Sequence, residues 1–139
     1  MNEARLRTVL MVVAVYHLLL GALMIFAPGA FYDSLGKFPP KNVHYIKDVA
    51  TFYIAMGVVV FISVRRRSWR VPVLVFITLE YAIHTLNHLV DVGKAATDFT
   101  GWFDFFALAV ATVILAAITT VAWRIRPDAE PEPEEEPVL

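Results

Sequence analysis

The chain contains no cysteine, which excludes disulfide bridges, thiolate metal ligands and a cysteine nucleophile. Charged residues make up only 18% of it, against roughly 25% in an ordinary soluble domain. It also lacks a stretch rich in Lys and Arg interleaved with aromatics, so nucleic acid is not an expected partner. None of its three serines stands at a recognisable catalytic spacing from a histidine, and there is no glycine-rich phosphate loop.

Long apolar runs dominate what is present. Hydrophobic residues make up 58% of the chain, and its mean hydropathy is +0.62. A helix needs roughly 20 mostly apolar residues to cross a hydrocarbon core of about 30 Å. Four segments qualify, at about 8–26, 47–64, 71–90 and 102–123. The sequence therefore predicts an all-α membrane protein, a four-transmembrane-helix up-down-up-down bundle over residues 1–126.

The basic residues predict how these spans are oriented, because cytoplasmic loops carry an excess of Lys and Arg. All eight arginines flank the predicted spans on one side: Arg5, Arg7, Arg65, Arg66, Arg67, Arg70, Arg124 and Arg126. The four lysines lie on the other side. We therefore expect a multi-pass protein of the cell membrane, inner or plasma, with both termini in the cytoplasm.

Three further segments have interpretations of their own. The first apolar run is longer than the apolar core of a signal peptide, which has roughly 7 to 15 residues, so we expect it to be a retained span. The loop Ala27–Tyr45 is rich in aromatic residues, which suit the membrane interface. Residues 127–139 are acidic and rich in proline, and we expect them to form a disordered cytoplasmic tail.

The third span contains the costliest groups for a bilayer, in the stretch EYAIHTLNHLVD. At helical periodicity its five polar residues share one face: Glu80, His84, Asn87, His88 and Asp91. The opposite face carries Ala82, Leu86 and Leu89. Ionisable residues inside a membrane usually face the bundle interior and mark a functional site.

Helical rise places the polar residues of all four spans in two layers. The deep layer contains His17, Glu80 and His84, and the outer layer contains Asp48, Asn87, His88, Asp91 and Asp104. His17 and Glu80 are expected at the same depth, either as a structural pair or as a pair that passes a proton. The catalytic candidates are therefore His17, Glu80 and His84, and the candidates for binding a cofactor are Asn87, Asp48 and Asp104.

The spacing Glu80, His84, His88 also presents three metal ligands on one helical face, so a transition metal is one predicted cofactor. Haem is a weaker alternative, with His17 and His84 as axial ligands from two spans. The di-iron pattern, in which Glu-x-x-His is repeated on two helices, is absent. The sequence leaves both cofactors open.

Three stretches, YHLLLGALMIFAP, GAFYDSLG and EYAIHTLNHLVD, give the chain a family resemblance. From about Val12 to Ala122 it resembles the small DoxX-like membrane proteins. The resemblance implies a four-helix membrane bundle, and some members are associated with quinol oxidation or thiol redox stress. The absence of cysteine argues against a thiol-redox role here. No catalytic residue is carried over from the family.

The sequence thus predicts that a polar pocket in the outer half of the bundle binds a small ligand: a metal ion, a quinone or a lipid-like molecule. Redox or proton-transfer chemistry is compatible with these residues, and whether the protein is an enzyme stays open. The alternative is an accessory subunit of a larger membrane complex, in which the polar cluster is purely structural. Expected partners are the lipid bilayer, an apolar small molecule and a membrane protein.

Overall fold

A computed structural model describes residues 2–125, and within that range it contains five α-helices, one short 3-10 helix and no strand. The α-helices are α1 (Glu3–Phe26), α2 (Pro28–Ser34), α3 (Val43–Arg65), α4 (Arg67–Val90) and α5 (Asp98–Arg124), and the 3-10 helix is Val92–Lys94. In the described part of the chain, α1, α3, α4 and α5 are long and apolar enough to cross a membrane. The prediction of an all-α protein with four such helices is confirmed. Arg126 and the predicted acidic tail lie outside the described residues.

Each long helix begins before the apolar segment that predicts it. The predicted starts at 8, 47, 71 and 102 become helix starts at 3, 43, 67 and 98. In three of the four, a side chain caps the first turn: Asn2 accepts from the Arg5 amide at 3.0 Å, Asn42 from Tyr45 at 3.2 Å and Thr97 from Thr100 at 3.1 Å. Such caps satisfy amide groups that have no partner within the helix, so the helix extends into polar sequence.

Helices α1 and α3 approach each other closely at two glycines. A Cβ atom on Gly21 would lie 2.6 Å from Ile54 Cγ1 and 3.1 Å from the Ala50 carbonyl oxygen. One on Gly57 would lie 2.7 Å from Leu18 Cγ. Both glycines are buried, so the short separation of the two helices depends on the missing side chains.

Helices α4 and α5 are joined by two pairs of threonines. The hydroxyls of Thr78 and Thr119 lie 2.9 Å apart, and those of Thr85 and Thr112 lie 3.0 Å apart. Because Thr119 also donates to the Leu115 carbonyl, Thr78 is the donor in the first pair. In the second pair both hydroxyls also lie near a carbonyl of their own helix, so a bond between them forms only when one hydroxyl turns away from that carbonyl. Hydrogen bonds of this kind hold apolar helices together where burial from water contributes little.

One end of the bundle is organised by Arg70, which is 5% exposed. Its Nη1 donates to both carboxylate oxygens of Glu3 at 2.8 and 2.9 Å. Its Nε and Nη2 donate to the carbonyls of Ser63 and Val64 at 3.1 and 3.0 Å. These carbonyls belong to the last turn of α3, where intrahelical partners are missing. Arg70 therefore ties α1, α3 and α4 together at what we call the arginine end, formed by Glu3 and residues 63–70.

The opposite end, which we call the lysine end, carries Lys37, Lys41 and Lys94. There the Ala96 amide donates to the Lys37 carbonyl at 2.9 Å, which joins the two connecting segments. The ring of Phe38 lies edge-on to His88, with centroids 5.0 Å apart. The segment between α2 and α3 thus packs against the end of α4.

Candidate functional site

Glu80, His84 and His88 follow one another along one face of α4, as their spacing predicts. Glu80 Oε1 lies 3.6 Å from His84 Nδ1, and His84 Nε2 lies 3.1 Å from His88 Nε2. The first separation is too long for a hydrogen bond, and the second is a hydrogen bond between the two imidazoles. We call these three residues the α4 row.

Four buried side-chain atoms within residues 2–125 have no hydrogen-bond partner: Glu80 Oε2, His84 Nδ1, His88 Nδ1 and Asp104 Oδ2. Three of the four belong to the α4 row. Buried polar atoms in folded proteins almost always have a partner, because leaving one unpaired costs about 1 to 3 kcal/mol. The α4 row therefore combines donors and acceptors that the protein itself leaves unsatisfied.

Beside the row, a groove of about 670 Å³ lies between α3 and α4. Its apolar wall consists of Val49, Phe52 and Ile83, and its polar side chains are Asp48, Tyr53, Glu80, His84 and Asn87. The polar stripe of α4 thus faces the seam between two helices, with Glu80 20% exposed, and is only half-buried. We call this space the polar groove.

The structure brings two of the three predicted cofactor-binding residues to the polar groove. Asp48 and Asn87 both line it, and both are exposed. Asp48 also contacts His44 one turn earlier, with Nε2 and Oδ2 3.3 Å apart. Asp104 lies on α5, half-buried and outside the lining of the groove. Depth alone grouped both Asp48 and Asp104 with Asn87, and the structure places only Asp48 of these two in the lining of the groove.

His17 occupies a different environment from the one predicted. It is 1% exposed, and its Nδ1 lies 2.7 Å from the Val13 carbonyl. Since a carbonyl only accepts, Nδ1 carries the proton, and Nε2 can then accept from the Tyr81 hydroxyl at 3.3 Å. Its ring also stacks on Tyr53, with centroids 5.7 Å apart. Tyr81 thus takes the place that depth matching predicts for Glu80.

Two site residues, Tyr53 and Tyr81, were not predicted. Both are buried, at 6% and 4% exposure, and they connect His17 with α3 and α4. A signal for them exists in the sequence, because a tyrosine in mid-span needs a partner for its hydroxyl. Of these two tyrosines, Tyr53 lines the polar groove, and its stacking on His17 therefore places His17 next to the α4 row.

Comparison with family models, with curated proteins and with solved structures gives no match to this chain. The resemblance to the DoxX-like proteins therefore stays a prediction. Since a helical bundle by itself does not define an activity, function has to be argued from the chemistry of the site.

The α4 row does not fit a three-ligand metal site in this geometry. Among residues 2–125, no three His, Asp or Glu side chains converge on a point where they could hold a metal ion. Glu80 contacts Nδ1 of His84, whereas His88 contacts Nε2 of the same ring, so the two approach opposite edges of one imidazole. Haem fits no better, because His17 Nε2, the ring nitrogen with the lone pair, already accepts from the Tyr81 hydroxyl.

Proposed function

We propose that the protein is a multi-pass protein of the inner or plasma membrane with an up-down-up-down bundle. The glycine contacts support this topology, because residue numbers in α3 fall as those in α1 rise. The threonine pairs follow the same relation between α4 and α5. Large apolar side chains are exposed on all four helices, including Leu19, Phe61, Leu86 and Val113. Such faces are compatible with contact to lipid.

The arginines support cytoplasmic termini for the proposed bundle. Glu3, at the start of α1, contacts Arg67 and Arg70 in the first turn of α4, so the starts of these two helices lie at the same end. Ala122 and Ile125 line a small cavity together with these residues, which brings the end of α5 there as well. By the excess of positive charge in cytoplasmic segments, the arginine end is the cytoplasmic one.

We infer that the polar groove binds an amphipathic small molecule. The observation that carries this proposal is the combination of apolar walls with buried, unpaired atoms on Glu80 and His84. Ligand sites are typically mostly apolar clefts of roughly 300–1,000 Å³ with a few polar groups that fix orientation. A head group bonded to Glu80 and His84 would satisfy those atoms, while the rest of the ligand contacts Val49, Phe52 and Ile83.

Proton transfer is the chemistry that the α4 row can add to binding. Histidine exchanges protons near neutral pH, and the hydrogen bond between His84 and His88 links the groove with the lysine end. A ligand whose head takes up or releases a proton would therefore have a route along α4.

The proposed binding is tested by titrating the detergent-purified protein with a decyl-substituted benzoquinone and measuring heat by calorimetry. We expect wild type and the matched control Asp33→Ala to bind alike, since Asp33 lies in α2, away from the groove. Glu80→Ala and His84→Ala should each weaken binding by roughly tenfold, because each removes one hydrogen bond donated to a quinone carbonyl, from protonated Glu80 or from the His84 ring. No binding to wild type, or unchanged binding to both groove variants, would contradict the proposal.

The second candidate function is that of an accessory subunit in a larger membrane complex. Helix α5 favours it, because Gly101, Leu115 and Ala122 are its buried residues over a length of 27 residues. A helix so little covered by its own chain offers an apolar surface to another membrane protein. In this case the polar atoms of the α4 row would have a structural role only.

A further inference from the structure

Two more cavities continue the polar groove toward the arginine end. The middle one, of about 170 Å³, shares Phe52 with the groove. The last one, of about 490 Å³, shares Val59, Val73 and Phe76 with the middle one. Because neighbouring cavities have lining residues in common, the three form a row along the seam between the two helices. We call it the α3–α4 trough.

The lining of the trough changes from polar to apolar residues along its length. The polar groove forms its first section, whereas apolar residues alone line the middle one, including Ala55, Met56 and Ile77. In the last section, Ser68 is the one polar residue among the lining side chains. From Glu80 to Trp69 the helix rises about 16 Å, roughly half of a hydrocarbon core of about 30 Å. This gradient matches a molecule with a polar head and one long apolar tail.

The charges at the polar section restrict the head group. Asp48 and Glu80 line it together with His84 and Asn87, and neither Lys nor Arg is among its lining residues. A phosphate head would meet two carboxylates without a cation to bind it, which argues against a phospholipid. An uncharged carbonyl can instead accept a hydrogen bond from an imidazole, an amide or a protonated carboxyl group, and a hydroxyl can also donate to an ionised carboxylate. The ring of Phe52 adds a flat apolar surface for a cyclic head.

We propose that the ligand is a single-tailed lipid with an uncharged, oxygen-bearing ring as its head, the class to which prenyl quinones belong. The head lies at Glu80 and His84, and the tail follows the α3–α4 trough toward Trp69. This inference rests on the proposed function and adds the site of the tail. The trough is open to the side, since Phe76 and Trp69 are 52% and 44% exposed, so the ligand enters from the bilayer.

The experiment compares two probes of the same head, a benzoquinone with a decyl tail and the same ring without it. Both are titrated against wild type, Glu80→Ala, Ala55→Phe and Ala116→Phe in one detergent. Ala55→Phe fills the middle of the trough, and Ala116→Phe places the same ring on an exposed position of α5 outside it. Partition of the probe into micelles is then the same for each variant. Circular dichroism and gel filtration check folding, and Val59→Phe serves as a second blocking variant.

We expect the tailed probe to bind wild type and Ala116→Phe roughly tenfold more tightly than the tailless one. In Ala55→Phe and Val59→Phe this gain should disappear, while the tailless probe binds as in wild type. Equal binding of both probes to wild type, each weakened by Glu80→Ala, would overturn the tail site and leave the proposed function standing. No binding of either probe to wild type would overturn both.

Discussion

At the scale of single residues, the two ends of the bundle treat their polar groups differently. Arg70 is buried, and its donors are paired with Glu3 and with the carbonyls of Ser63 and Val64. Glu80 is also largely buried, yet its Oε2 has no partner. A satisfied network stabilises the fold, whereas an unsatisfied one lowers stability in exchange for a binding surface. The arginine end is therefore structural, and the α4 row is where we expect function.

This contrast predicts opposite effects of two substitutions on the thermal unfolding of the ligand-free protein in detergent. Arg70→Met should destabilise it by about 2 kcal/mol, because the carbonyls of Ser63 and Val64 lose a buried donor, while the part-exposed Glu3 keeps only Arg67. Arg66→Met, which removes the same charge from an exposed position, should leave the melting temperature nearly unchanged. Glu80→Leu should stabilise the protein by roughly 1 kcal/mol by removing an unpaired buried oxygen. A lower melting temperature for Glu80→Leu would instead favour the accessory-subunit alternative.

Site residues that lie on one helix could be predicted from the sequence, whereas contacts between two helices could not. Glu80, His84 and His88 lie in a row because their spacing alone determines it. The partner of His17 depends on how α1 is rotated against α4, and no local pattern contains that angle. Depth matching therefore selected Glu80, whereas the neighbouring Tyr81, about 100° further around the helix, makes the contact.

At the scale of helices, hydropathy predicts the four long elements and misses their first turns. The apolar windows end where polar residues begin, but the caps at Asn2, Asn42 and Thr97 keep those residues helical. The sequence also could not predict which residues of two helices pack closely against each other. Gly21 stands in the sequence as a small residue in a span, and only the structure identifies Ile54 as its neighbour.

The glycine contacts predict a position-dependent cost of adding one methyl group. Gly21→Ala and Gly57→Ala should each lower the stability of the bundle by about 1 to 3 kcal/mol, because α1 and α3 must move apart. Gly93→Ala is the matched control, since a Cβ there has no atom within 4 Å. Chemical unfolding in detergent followed by circular dichroism measures the difference. Equal stability of all three variants would mean that the helices do not pack at these positions.

At the scale of the whole molecule, the absence of cysteine makes the proposed topology directly testable. Any single cysteine introduced is the only reactive thiol in the chain. Ser68 is exposed near the arginine end, and Ala96 is exposed at the lysine end. The two positions therefore report on opposite sides of the proposed bundle.

With both termini in the cytoplasm, a membrane-impermeant maleimide added to intact cells should label Ala96→Cys and leave Ser68→Cys unlabelled. After permeabilisation, both variants should react. The expected labelling pattern follows from the positive charge of the arginine end, since cytoplasmic segments carry an excess of Lys and Arg. The reverse labelling pattern would invert the orientation, and labelling of both positions in intact cells would rule out a spanning bundle.

The connection between α3 and α4 consists of Arg66 alone, and Arg70 fastens the two helices next to it. The seam between them is thus pinned at one end, while its largest cavity lies toward the other. We therefore expect the two helices to stay fixed to each other at the arginine end and to separate slightly at the polar groove. Ligands with heads of different size would then be accommodated by small displacements of the two helices at the polar groove, and the contacts of Arg70 would not change.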